Sequence, residues 1–153
     1  MRKIIAAFVS PVLVVVALVV GASTAHAQPT GSIDIVLGDE GQLIGKGAVA
    51  TLPLEVTCTF SGDFVFSEGM ASLRQAQGGH RLVTASAGVV LQSSDCDGTP
   101  HFVDLAFFPA EAPLKPGVAV VGLTAVVCFA DPATGESACV SDSEALIEVR
   151  LKN

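Results

Sequence analysis

Ala48-Val49-Ala50-Thr51-Leu52-Pro53-Leu54-Glu55-Val56-Thr57-Cys58-Thr59-Phe60 alternates along its whole length. Ala50, Leu52, Leu54, Val56, Cys58 and Phe60 fall on one side, and Thr51, Pro53, Glu55, Thr57 and Thr59 on the other. A period of two sustained this far describes a strand with one buried and one solvated face. Pro53 belongs to the outward set and has no N–H to donate, so it predicts a sheet edge or a bulge.

The segments on either side read the same way. Ser32 to Leu37 sets Ile33, Ile35 and Leu37 on one face, and Gly38-Asp39-Glu40-Gly41 reads as a turn. Phe64 to Gln75 reads as one strand or two, interrupted at Glu68-Gly69, where a bulge would fit. Leu82 to Leu91 follows, with Gly88 as a possible break, and then a loop, Ser93 to Pro100. His101 to Phe108 is the next strand, and Pro113 to Gly117 turns the chain into the β-branched run Val118 to Phe129. Asp131 to Glu136 is a hairpin-type loop, and the last strand, Ala145 to Leu151, points Ala145, Ile147, Val149 and Leu151 inward. No stretch after Ala27 carries a helical period. About seven short strands, spaced by turns and without a crossover helix, predict an antiparallel β-sandwich over residues 32–153.

The N-terminus has a different character. Arg2 and Lys3 precede Ile4 to Val20, which is apolar apart from Ser10, and Ala25-His26-Ala27 is a small-x-small cleavage pattern. Residues 1–27 therefore read as a signal helix, removed before Gln28, with 28–31 as a short flexible leader. A retained anchor is the rival reading. The 17 residues from Ile4 to Val20 sit at the lower limit for spanning a bilayer, Pro11 interrupts them, and no cysteine stands at the cut to take a lipid. The expected protein is secreted, extracellular and monomeric.

Removal of Arg2 and Lys3 leaves six Lys and Arg against 15 Asp and Glu, so the formal charge moves from −7 to −9. Scattered acids of this kind argue against nucleic acid, which needs clustered Lys and Arg, and against docking on anionic lipid. No nucleic acid and, after cleavage, no membrane is expected as a partner. The acid excess reads as solubility.

Cys58, Cys96, Cys128 and Cys139 all lie in the exported part, and an even count in a small secreted domain implies two disulfides. Cys128 and Cys139 flank the loop Phe129 to Ala138, which would leave Cys58 to meet Cys96. The competing arrangement joins Cys58 to Cys128 as an inter-sheet bridge, although that bridge normally has a Trp packed on it and the chain has none. Zinc spacing is absent, and so is a Cys-x-x-Cys.

Two segments carry a resemblance. One is Val56-Thr57-Cys58 followed later by Cys96-Asp97-Gly98-Thr99-Pro100-His101; the other is Leu114-Lys115-Pro116-Gly117-Val118-Ala119. Together they resemble a family of small secreted actinobacterial immunoglobulin-like domains with no assigned function, over most of residues 32 to 151. The resemblance implies an immunoglobulin-like sandwich and a bridge between Cys58 and Cys96. It brings no catalytic residues, and Cys128 and Cys139 are an addition to its pattern.

Candidate chemistry is sparse. His101 stands between Asp97 and Asp104, the ingredients of a hydrolase site, but no Gly-x-Ser-x-Gly elbow accompanies them. His80 is the other histidine after the signal. Asp95, Asp97 and Asp104, or Asp131, Glu136, Asp142 and Glu144, supply the hard oxygens calcium prefers, but Asp and Gly are also ordinary turn residues. Sugar-stacking platforms are missing, with Trp and Tyr both absent. Phe107 and Phe108 must point to opposite faces of a strand, which leaves one of them exposed. The expectation is a non-enzymatic, cofactor-free module that binds an extracellular protein or cell-surface component. A protease inhibitor presenting loop 129–138 is the alternative, and a hydrolase using His101 the weaker one.

Overall fold

The structure, a computed structural model, describes residues 30–153. The expected signal helix over 1–27 and the first part of the 28–31 leader lie outside them. The chain forms β1 (Gly31–Leu37), β2 (Glu40–Ile44), β3 (Val49–Phe60), β4 (Asp63–Gln77), β5 (Arg81–Val89), β6 (His101–Pro109), β7 (Gly117–Ala130) and β8 (Ser137–Lys152). A single 3₁₀ turn, Ser93–Asp95, lies between β5 and β6, and no α-helix occurs among the described residues.

The strands do not divide into two antiparallel sheets, so the expected immunoglobulin-like β-sandwich is corrected to a closed, mixed β-barrel. The order β3-β2-β8-β7-β4-β5-β6 returns to β3 through a β3–β6 pairing, which makes a ring of seven strands. β1 lies beside β2 on the same edge of β3. One pairing is parallel, with Glu40 opposite Arg150 and Gln42 opposite Lys152. Alternation reports which residues point inward, and it does so identically for a sandwich and a barrel. It does not report which edges meet.

β2 falls where the sequence suggested a turn, because Glu-Gly-Gln-Leu-Ile has no apolar alternation to mark it. Pro53 is explained by the same junction. Leu54 pairs with Leu37 of β1, and Thr51 pairs with Gln42 of β2, so Pro53 faces the gap between the two short strands. Its carbonyl accepts the Gly38 N–H at 2.8 Å, and the N–H it lacks would have pointed into that gap. A proline is thereby tolerated inside a strand that pairs on both edges.

Two irregularities fall elsewhere than expected. The β4 bulge lies between Phe64 and Phe66, whereas Gly69 stays in register with Val89 and Ala125. A Cβ at Gly69 would come within 2.9 Å of both the Thr124 carbonyl oxygen and the Val89 Cβ, so close strand approach requires the glycine. In β8, which begins at Ser137 rather than Ala145, the register shifts opposite Val121/Leu123. Leu146 adopts φ 61° there. The shift reverses the phase of the strand: Ala145 and Leu146 are exposed, while Asp142 and Glu144 take the half-buried positions.

The interior is filled by side chains. Leu52, Leu54, Val56, Leu73, Val83, Phe107 and Val121 are fully buried. Phe60, stacked on Phe129 and tilted against Phe64 with both ring centroids 6.0 Å away, packs the upper end, where β3–β4, β5–β6 and β7–β8 connect. Leu114, 2% exposed, packs the lower end, where β2–β3, β4–β5 and β6–β7 connect and β8 ends. Cys58 bonds Cys96 and Cys128 bonds Cys139; the inter-sheet alternative does not occur.

Candidate functional site

The loop after Cys96 brings Asp97, Thr99 and His101 together. Asp97 is a turn residue whose Oδ1 accepts from the Thr99 N–H at 2.8 Å and from the Thr99 hydroxyl at 2.6 Å. His101 Nε2 lies 3.0 Å from the same oxygen and 3.3 Å from Thr99 Oγ1. The Thr99 hydroxyl, then His101 and the Thr99 amide, hold the exposed Asp97 carboxyl well below the usual carboxylate range. A relay needs the acid on one ring nitrogen and the nucleophile on the other. Here a single nitrogen meets both, which describes a braced loop. Asp104 is exposed on the outer face of β6, on the opposite side from His101. His80 sits at φ 63° in the β4–β5 turn, far along the barrel.

The acids considered for calcium are dispersed. Asp95 Oδ2 accepts the Gln92 N–H at 2.7 Å, and Asp131 Oδ1 accepts the Ala133 N–H at 2.7 Å. Asp142 Oδ2 and Glu144 Oε2 accept the Ile35 and Leu37 N–H groups at 3.0 and 3.4 Å. These two carboxylates tie the free edge of β1 to β8 where no backbone ladder joins the strands. No group of three or more potential metal ligands converges among the described residues.

The loop between Cys128 and Cys139 is a compact turn. Asp131 N–H donates to the Glu136 carbonyl, Gly135 N–H donates to the Asp131 carbonyl, and both bonds measure 2.8 Å. Phe107 is fully buried and Phe108 is 60% exposed, as opposite faces of one strand require.

Sequence reading missed an apolar groove of about 460 Å³ on the outside of β4, β7 and β8. Phe66, Glu68, Met70, Thr124, Val126 and the Cys128–Cys139 bridge line it. Phe66 is 48% and Met70 67% exposed. A second depression shares Met70 and Thr124 and continues over Ser72, Gly122 and Ala145. The signal was present: Phe66 and Met70 stand on the outward side of a strand whose Ala71 and Leu73 point inward. It was hidden because the groove is assembled from strands distant in the chain, and the bulge between Phe64 and Phe66 interrupts the local alternation beside it.

Also missed was Gln75, a buried amide 2% exposed. Its Nε2 donates to the Lys115 carbonyl at 2.6 Å, and its Oε1 accepts the Lys115 N–H at 2.9 Å. It clamps the β6–β7 loop to β4.

No family model and no curated protein matches the chain. Among solved structures, the chain is similar to the sporulation control protein Spo0M from Bacillus subtilis, with a TM-score of 0.33 and 14% identity over 80% of this chain and 49% of that one. The chain thus spans about half the length of that protein, and so distant a likeness carries no functional argument.

Proposed function

We propose that the chain is an exported, disulfide-stapled, non-enzymatic module that binds a protein in the groove on the outer face of β4, β7 and β8. The observation behind this reading is the groove itself. Phe66, Met70 and Val126 are apolar side chains on the solvent face of a barrel whose interior is already filled. Contiguous exposed apolar surface of this kind marks interaction sites. A protein ligand fits better than a sugar, because the groove has no Trp or Tyr to stack on a pyranose ring. Export is supported by the two bridges, which persist in an oxidising compartment, together with the n-region, apolar run and Ala-x-Ala pattern of residues 1–27.

The protease-inhibitor reading needs an extended loop presented to a cleft, and residues 131–136 form a self-bonded turn instead. The hydrolase reading lacks a second ring nitrogen engaged in the His101 cluster. The test is crosslinking capture from the producing cell's surface and culture fluid, comparing the unaltered chain with Met70→Glu. A partner retained by the unaltered chain and lost with Met70→Glu, at unchanged thermal stability, supports the reading. Equal capture by both sinks it.

A further inference from the structure

Net charge hides the way charge is distributed along the barrel. All six Lys and Arg among the described residues are exposed and lie toward the lower end: Lys46, Arg74, Arg81, Lys115, Arg150 and Lys152. At the upper end, Asp63, Asp95, Asp97, Asp131 and Glu136 occupy the connections or their margins, with no Lys or Arg among them. We propose that the lower end is a docking face for the surface of an anionic phospholipid bilayer.

Four observations carry this. First, the cations are built in place. Gly47, at φ 85°, sits so close to Leu114 that a Cβ would lie 1.9 Å from its carbonyl oxygen, and the Leu114 N–H donates to the Gly47 carbonyl at 2.9 Å. That contact fixes the backbone next to Lys46 on one segment and next to Lys115 on the other, while buried Gln75 fixes the Lys115 backbone through two hydrogen bonds. Second, the cations are free for a ligand: among the described residues only Lys152 forms an ion pair, with Glu40. Third, exposed apolar side chains accompany them. Ile44, Leu82 and Val118 are each about half exposed, beside Lys46, Arg81 and Arg150 respectively. Bases interleaved with apolar tips suit a bilayer interface.

The fourth observation is distance. β4 has 15 residues, so with about 3.3 Å per residue and a tilt near 40° the two ends lie roughly 35–40 Å apart. The Debye length at physiological salt is about 8 Å. A surface touching the lower end therefore senses the cations there, and the upper-end acids are screened from it. Asp39, Glu40, Glu111 and Glu148 are the exposed acids toward that end, four against the six cations, and offset part of the local charge without reversing it. The cations project around the rim of a barrel rather than along a stripe, an arrangement that matches a plane better than a linear polyanion.

Vesicle sedimentation tests this, with the purified protein and vesicles of phosphatidylglycerol mixed into phosphatidylcholine or of phosphatidylcholine alone. Binding is expected to the mixed vesicles only, and to weaken with added salt. Lys46→Gln with Lys115→Gln should weaken it about 25-fold, at about fivefold per cation near the surface. Asp63→Asn with Glu136→Gln, at the upper end, should leave it unchanged. Equal binding to phosphatidylcholine alone overturns the proposal. So does an upper-end effect as large as the lower-end one, because net charge would then be the determinant. Binding to soluble polyphosphate without retention by vesicles overturns it in favour of a linear polyanion.

Discussion

At the scale of single residues, the faces of β3 carry the sharpest expectation. Leu54 is fully buried in the barrel interior, whereas Thr57 lies on the outer face, half-buried. Leu54→Ala should cost about 2–5 kcal/mol, from lost transfer energy and the cavity left behind. Thr57→Ala should cost well below that. Urea melts with the disulfides intact compare the two directly, and equal losses would place both faces in a core. Asp97 gives a pH-dependent counterpart. Its folded pKa is depressed, so its contribution is present above the unfolded value near 3.9 and is lost as pH falls below it. The stability difference between the unaltered chain and Asp97→Asn should therefore shrink below about pH 4. A difference that stays constant through the acid range would show that the Thr99 and His101 hydrogen bonds do not favour the ionised form.

At the scale of elements, β1 is the exposed weakness. One edge pairs with β3 over Gly31 to Leu37, and the other is held to β8 by two side-chain carboxylates. Asp142→Ala removes the acceptor of a part-buried N–H and should cost about 1–3 kcal/mol, with faster hydrogen exchange at Ile35 than at residues of β3. Unchanged exchange would mean that β1 is held by its β3 ladder alone. The bridges act at the same scale. On the chain-entropy account, the 38-residue separation of Cys58–Cys96 contributes about 4 kcal/mol, and the 11-residue separation of Cys128–Cys139 about 3 kcal/mol. Paired Cys→Ala variants at each bridge should rank in that order in denaturant melts. The reverse order would show that native packing around Cys128, rather than loop length, sets the cost.

At the scale of the molecule, closure is what separates this barrel from a pair of sheets. It depends on short seams: β2 meets β8 over Glu40 to Gln42, and β5 meets β6 through Ala85–Pro109 and Ser86–Phe108. Nuclear Overhauser contacts between Gly41 and Leu151, and between Ser86 and Phe108, are the expected signature. Their absence, with the β3–β6 contacts retained, would describe an open sheet.

Periodicity in the sequence carried the strands because side-chain alternation is a local property. Val56, Leu52 and Leu73 each declare their inward face within a few residues of chain, and the even count of Cys58, Cys96, Cys128 and Cys139 declares two bridges while leaving Cys128 as a rival to Cys96 for the partner of Cys58. What eluded it depends on partners far away in the chain. β2 has no pattern of its own and exists because β3 and β8 offer it two edges. Asp142 and Glu144 take half-buried positions because of a register shift at Leu146, which their own Asp-Ser-Glu pattern does not announce. The outer groove around Phe66 and Met70 appears only once β4 is known to have solvent on that side. The separation of Lys46, Arg81 and Lys115 from Asp95, Asp131 and Glu136 appears only when alternate loops are sorted to opposite ends. The sequence by itself determined most of the strands and most of their faces, and an all-β domain stapled by disulfides, because hydrophobic alternation and turn chemistry act over a few residues. Only the tertiary structure decided that the edges close into a ring and that charge divides between its two ends, because edge pairing is a competition among distant strands that no local pattern records.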